Sequence, residues 1–131
     1  METHLAAVAS VEMLQVSGPA ILLSPDAAQT FGLALHELAT NALKYGALAH
    51  GGSIHVSWQV DGETFTCCWN ERGFAAEHSR RGFGTSVLAR IVPHSLDGEA
   101  QIRADKDGFT WSLLCPASAL DKSTKSSHGL S

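Results

Sequence analysis

The spacing of apolar residues along the chain changes from helical to alternating and back. Phe31, Leu35, Leu38 and Ala42 recur at helical intervals, which at about 100° per residue places them in one narrow stripe facing a sheet. SPDA just before them is a helix start: Ser24 as N-cap, Pro25 at the first helical position, Asp26 favourable to the helix dipole. A helix is therefore predicted from Pro25 to about Tyr45, closed by Gly46 in the left-handed conformation. The period then becomes two. In SIHVSWQV (53–60), Ile54, Val56, Trp58 and Val60 share a face, and in ETFTCCWN (63–70) Phe65, Cys67 and Trp69 do so. Asp61-Gly62 between the two runs is a hairpin signal.

A loop is expected from Glu71 to Arg81, followed by a second helix over GTSVLARIV (84–92) that Pro93 stops. EAQIRA (99–104) and FTWSLLC (109–115), joined by DKDG, predict a last strand pair with Phe109, Trp111, Leu113 and Cys115 inward. ILLS (21–24) reads as a short strand, and residues 4–16 fit either a strand or a helix remnant. Four or five strands with one apolar face, plus at least two helices, imply an α+β two-layer sandwich. Its sheet is mixed and mostly antiparallel, with helices on one face and water on the other.

Composition narrows the function classes. The 131 residues have room for one domain with a real core and not for two comfortable ones. No apolar run approaches a membrane span, and the first ten residues lack the pattern of a secretion signal. A net charge of −4 with scattered Lys and Arg gives no footprint for nucleic acid. Three cysteines, with Cys67 and Cys68 adjacent, form neither a disulfide framework nor a CxxC zinc pair, which fits a reducing, cytoplasmic compartment. The polar, pattern-free end of the chain is expected to be a disordered tail from 117 to 131.

The polar chemistry concentrates in HELATNALKYG (36–46). Glu37, Asn41 and Lys44, four and three residues apart, are expected together on the side of the helix nearly opposite the apolar stripe. That arrangement fits a solvated face with a Glu–Lys pair. A ligand is the other reading: Asn is a mediocre helix former, and a carboxylate, an amide oxygen and an ammonium in a row suit Mg²⁺ and phosphate. In RRGFGTS (80–86), Gly82 and Gly84 lead into a helix behind Arg80 and Arg81, which suits either a hinge or an anion site. In CWNERG (68–73), the strand is expected to end, with Glu71 at its C-terminal edge and Gly73 just after. The Glu71 carboxylate can accept a hydrogen bond from an amine or serve as an ordinary loop residue, and Trp69 fits the core or a base-stacking platform.

These pieces, in this order, resemble the ATP-binding catalytic domain of bacterial sensor histidine kinases. More narrowly they are similar to the HWE branch, named for a His in the first motif and a Trp-x-Glu in the second: His36 in HELATNALKYG, and Trp69 and Glu71 in WNE, with RRGFGTSVL after them. The resemblance covers residues 20–116 and implies the Bergerat sandwich that this branch shares with heat-shock chaperones and type II topoisomerases. It implies that Asn41 ligates Mg²⁺ on the ATP phosphates, with Glu37 beside it ordering water or assisting proton movement. It implies that Lys44 reaches the phosphates, that Tyr45 packs near the nucleotide, and that His36 orients neighbours or contacts phosphate. Glu71 takes the place of the adenine-reading Asp, and Gly73 permits close approach. The resemblance further implies that residues 74–81 are a short lid, with Arg81, Gly82, Gly84 and Thr85 closing over the phosphates. It implies that the γ-phosphate passes to a His on a separate helical-hairpin domain, and onward to a response regulator.

The chain departs from the branch at Gly73-Phe74-Ala75, where Gly-Gly-Pro is common, so Phe74 is expected to narrow or cover the base pocket. Too few residues precede the core to supply the phosphoacceptor hairpin, and residues 1–19 are expected to be a remnant of the linker to it. A zinc-hydrolase HExxH fails because Thr40 stands at its second His. A phosphoacceptor box at His36 fails because Asn41 stands where that box has Pro, and because a hairpin follows Gly46 rather than a helix. An anti-sigma-type Ser/Thr kinase and a degenerate, non-catalytic module that binds a partner protein remain as alternatives.

Overall fold

The computed structural model describes residues 3–5, 8–11, 14–76 and 86–121. Helix α1 (Pro25–Lys44) begins as its sequence demands. The Ser24 hydroxyl accepts the Ala27 N–H at 3.1 Å, and Pro25 sits in the first turn, where a missing N–H leaves nothing unpaired. Its end differs from expectation. Gly46 has φ −112°, so no left-handed cap forms. The Tyr45 and Gly46 N–H groups instead close back on the Asn41 and Ala42 carbonyls, and the chain continues into a 3₁₀ turn at Ala47–Ala49.

The strands are β1 (Thr3–Leu5), β2 (Val8–Val11), β3 (Leu14–Ser17), β4 (Ile21–Leu23), β5 (Ser53–Asp61), β6 (Thr64–Arg72), β7 (Glu99–Asp105) and β8 (Gly108–Pro116), with apolar alternation clearest in β5, β6 and β8. Six of them form one sheet in the order β2-β3-β5-β6-β8-β7, while β1 and β4 pair separately. β3 runs parallel to β5, and the other neighbours in the sheet are antiparallel. Residues 14–17 are thus a strand of the main sheet, which corrects the expectation of a linker up to residue 19. The β5–β6 hairpin turns at Gly62, whose φ of 64° is the positive value that the first position of a two-residue turn requires.

The inner sheet face buries Ile54, Val56 and Trp58 from β5, Phe65, Cys67 and Trp69 from β6, and Phe109, Trp111, Leu113 and Cys115 from β8. Against it α1 packs Ala27, Phe31, Ala34, Leu38 and Ala42, with the Phe31 ring edge-on to Phe65 at 5.8 Å. Each large side chain so buried contributes about 1.5–3 kcal/mol. Leu35 is not among them: it is 37% exposed, and Ala34 takes its place. Val60, at the end of β5, also lies outside the core.

Pro93 does not stop the second helix. A π-helical turn (Val87–Ile91) passes directly into α2 (Val92–Ser95), with Pro93 buried inside the helical run. The reason lies on the sheet. Pro93 brings no N–H to the Leu88 carbonyl, and the Trp111 indole donates to that oxygen instead, at 2.9 Å. The packed structure also extends past residue 116. Ala117–Leu120 forms a 3₁₀ turn that buries Ala119 and Leu120, and the Leu120 carbonyl accepts the Ser24 N–H at 2.8 Å. Residues 117–120, expected within a disordered tail, are thus part of the packed structure, and residues 122–131 lie outside the described ones. Among the described residues no helix is long and apolar enough to cross a membrane.

Candidate functional site

The phase of α1 decides what its polar residues meet. With Ala27 and Ala34 in the core, the buried arc is turned away from Leu35 and towards Asn41, about 80° round the helix from Phe31. Asn41 is consequently 4% exposed rather than solvated, while Glu37 is half-buried and Lys44 is exposed. The three residues do lie side by side, but as a gradient from core to water. The expectation that all three stand opposite the apolar stripe is corrected for Asn41. His36 is exposed and Tyr45 half-buried at the end of the same helix.

The Asn41 Nδ2 has no hydrogen-bond partner. A buried polar group in that state costs about 1–3 kcal/mol, so folding alone does not explain it. A half-turn of the amide would present Oδ1 at the same place, a hard oxygen of the kind Mg²⁺ takes from proteins, with phosphate and water supplying the rest of its shell. Among the described residues no group of three or more His, Cys, Asp or Glu stands together as a metal cage. An Mg²⁺ bound mainly through phosphates requires none.

Glu71 is where the structure and the expected loop part company. β6 continues to Arg72, so the alternation that points Phe65, Cys67 and Trp69 inward also points Glu71 inward, and it is fully buried. Its Oε1 accepts the Ala47 N–H at 3.0 Å and its Oε2 accepts the Trp69 indole N–H at 2.6 Å. The Trp and Glu of the motif are therefore hydrogen-bonded to each other. The carboxylate also ties β6 to Ala47 in the 3₁₀ turn that follows α1. Sequence reasoning missed the Ala47 N–H altogether, because a backbone donor carries no side-chain signal.

Gly73 follows with φ 94°, and a Cβ there would stand 3.0 Å from the Gly52 Cα. Gly108 lies so close under β6 that a Cβ would overlap the Glu71 carbonyl oxygen. Phe74 is buried and its ring stacks on His50, with centroids 5.7 Å apart and planes 4° from parallel. That contact packs the start of the segment after β6 against the connection between α1 and β5. Behind it the Ala76 N–H bonds to the Asp105 carbonyl at 2.8 Å, which ties the segment to the β7–β8 turn. Arg81, Gly82, Gly84 and Thr85, with Arg80, lie outside the described residues. A shallow concavity of about 400 Å³, lined by Ser57, Cys68 and Ser112 among others, is on the outer sheet face and away from these groups.

The structure thus brings Asn41, Glu37, Ala47, Trp69, Glu71 and Gly73 to one end of the α1–β6 layer. No family model matches the chain. A blue-light-activated histidine kinase of Brucella anthropi is 36% identical over 113 residues, and blue-light-activated histidine kinase 1 of Erythrobacter litoralis is 48% identical over 96. These alignments take in 81% and 69% of this chain and 23% and 26% of those proteins, so the chain spans about a quarter of their length. Among solved structures, the histidine kinase domain of the Erythrobacter litoralis EL346 blue-light-activated histidine kinase superposes with a TM-score of 0.64. That match covers 81% of this chain and 52% of that one at 19% identity, a likeness of fold. With sequence and fold in agreement, the chain belongs to the histidine kinases of the HWE branch and corresponds to their catalytic domain.

Proposed function

We propose that this domain binds Mg²⁺-ATP and transfers its γ-phosphate to a histidine on a separate helical-hairpin domain, from which a response regulator receives it. The observation that carries the reading is Asn41, whose buried amide nitrogen has no hydrogen-bond partner on the helix that carries Glu37 and Lys44. Asn41 holds the cation through its amide oxygen, and Lys44, exposed at the end of α1, meets the phosphates as a point charge. Mg²⁺, when bound, offsets negative charge on the phosphate oxygens. Glu71 accepts a hydrogen bond from the adenine amine, with Gly73 letting the base come close. Tyr45 and His36 flank the nucleotide at the end of α1. Arg81, Gly82, Gly84 and Thr85 close over the phosphates.

The chemistry is positioning more than covalent work. The bond between the γ-phosphorus and the bridging oxygen breaks, a phosphorus–nitrogen bond to the imidazole forms, and ADP leaves. Glu37, half-buried one turn before Asn41, orders water or takes the imidazole proton. The setting is the bacterial cytoplasm, where ATP is abundant.

Calorimetric titration of a non-hydrolysable ATP analogue into wild type and Asn41→Ala, with Mg²⁺ and then with EDTA, tests the proposal. Binding that requires Mg²⁺ and weakens at least tenfold in the variant, the scale of a lost bond to a charged group, supports it. A folded wild type that binds no nucleotide under either condition overturns it in favour of a non-catalytic, partner-binding module.

A further inference from the structure

The indole of Trp69 is 5% exposed and does more than fill the core. It lies two residues before Glu71 on the same face of β6, and its N–H reaches the Glu71 Oε2 at 2.6 Å. Trp69 is itself braced. Its cross-strand partners are Val56 on β5 and Trp111 on β8, both buried, and the Trp111 indole is fixed in turn to the Leu88 carbonyl at 2.9 Å. The direction of the Trp69 N–H is therefore set by the packing of three strands. From the other side the Ala47 N–H holds Oε1 at 3.0 Å. Two donors on different elements fix both ends of one carboxylate, and with them the plane in which it accepts.

We propose that Trp69 is a positioning residue for base selection. By holding Oε2 it keeps the Glu71 carboxylate in the orientation that accepts from an exocyclic amine and repels a carbonyl at the same ring position. This inference rests on the reading of Glu71 as the base-reading residue. A carboxylate has about four acceptor sites, so bonds from the chain and one from a base amine are compatible. A carboxylate free to rotate would accept an amine less well and could turn from a carbonyl. Discrimination, rather than affinity as a whole, is what the indole supplies.

The test compares two non-hydrolysable Mg²⁺ nucleotides, the adenosine analogue and its inosine counterpart, in which a carbonyl replaces the amine. The full chain is titrated as wild type, as Glu71→Gln, as Trp69→Phe, and with 3-benzothienylalanine at position 69, which keeps the bicyclic shape and loses only the N–H. In the benzothienyl protein the preference for adenosine is expected to fall roughly tenfold, the scale of one hydrogen bond to a charged group, with inosine affinity unchanged. Trp69→Phe is expected to follow it. Where that variant fails to fold, the benzothienyl protein decides. The indole N–H resonance of Trp69 is expected to move in Glu71→Gln even without nucleotide. Undiminished preference in a folded benzothienyl protein, alongside a collapsed preference in Glu71→Gln, overturns the role of Trp69 and leaves Glu71 as the reader. Undiminished preference in Glu71→Gln overturns the reading of Glu71 itself.

Discussion

Asn41 and Glu71 are the two polar side chains at this site that the fold buries almost completely, and they respond to mutation in opposite ways. Asn41 contributes an unpaired amide nitrogen, so replacing it with Leu, of similar size and apolar, is expected to raise stability by about 1 kcal/mol while removing Mg²⁺-dependent nucleotide binding. Urea unfolding of the apo protein, set beside calorimetry, checks both halves. A Leu variant that is less stable than wild type would show that the amide is satisfied after all. Glu71 receives two N–H bonds, so Glu71→Ala strands the Trp69 indole and the Ala47 amide in the core. It is expected to destabilise by about 2–5 kcal/mol, one to two buried unsatisfied donors and a cavity. At this scale the sequence revealed chemistry better than environment. The motif residues were legible, but a carboxylate after Trp69 reads as a loop residue because charged side chains are rarely buried unless paired. The period of two, followed past Trp69 to the next inward position, contains the correct answer. Asn41 was displaced for the same reason. Leu35 outweighs an alanine in any apolar stripe, yet the small Ala34 is what packs against the sheet.

Among the elements, the helical run through Pro93 is held by a tertiary bond that local rules do not contain. Trp111 supplies the donor that proline lacks, so Trp111→Phe leaves the Leu88 carbonyl without that N–H and is expected to cost about 1–3 kcal/mol. Pro93→Ala restores a backbone N–H at this point. In a double-mutant cycle the two changes are expected to couple by about 1 kcal/mol, with the double variant more stable than additivity allows. Strict additivity would mean that the indole and the missing amide act independently. The β7–β8 turn offers a second check. The Asp105 carboxylate accepts the Asp107 N–H at 2.8 Å and the Gly108 N–H at 3.1 Å, and Arg103 and Arg72 stand nearby. Led by the Asp107 bond, these interactions hold its carboxyl below the ordinary range for Asp. The lowered value means that the turn's contribution is complete above the unfolded pKa near 3.9 and is lost as pH falls through the folded one. Carbon NMR of the Asp105 carboxyl should give a midpoint below that of an unstructured Asp. The DKDG turn was readable from sequence for this reason: its stabilising bonds are local. β3 was not, because its main-sheet partner β5 lies some 40 residues along the chain and the pairing is parallel.

At the scale of the molecule, one apolar layer between α1 and the sheet carries both the fold and the site, and the buried thiols report on its integrity. The alternation that made the two-layer sandwich legible also places Cys67 and Cys115 on the inner faces of the central strands β6 and β8. Burial, with Cys68 and Cys115 adding to it, pushes the Cys67 thiol up to about 12, and burial pushes Cys115 up to about 11. In the unfolded chain both titrate near 8.5. The folded state therefore holds protons that the unfolded state releases, so the stability linked to these thiols is complete below about pH 8.5 and declines as pH rises towards the folded values. Denaturant midpoints at pH 7.5 and pH 10 are expected to differ, with the lower stability at pH 10. Cys67→Val, which keeps an apolar side chain and removes the titrating group, is expected to shrink that difference. Alkylation at pH 8 should proceed at Cys67 and Cys115 only as fast as the chain opens, because a thiol held near 11 or 12 has almost no thiolate to react. Mg²⁺ with a nucleotide analogue, bound to the folded state alone, should slow that alkylation in wild type and leave it unchanged in Asn41→Ala. If the nucleotide protects both proteins equally, the binding energy enters the fold somewhere other than the buried face of α1.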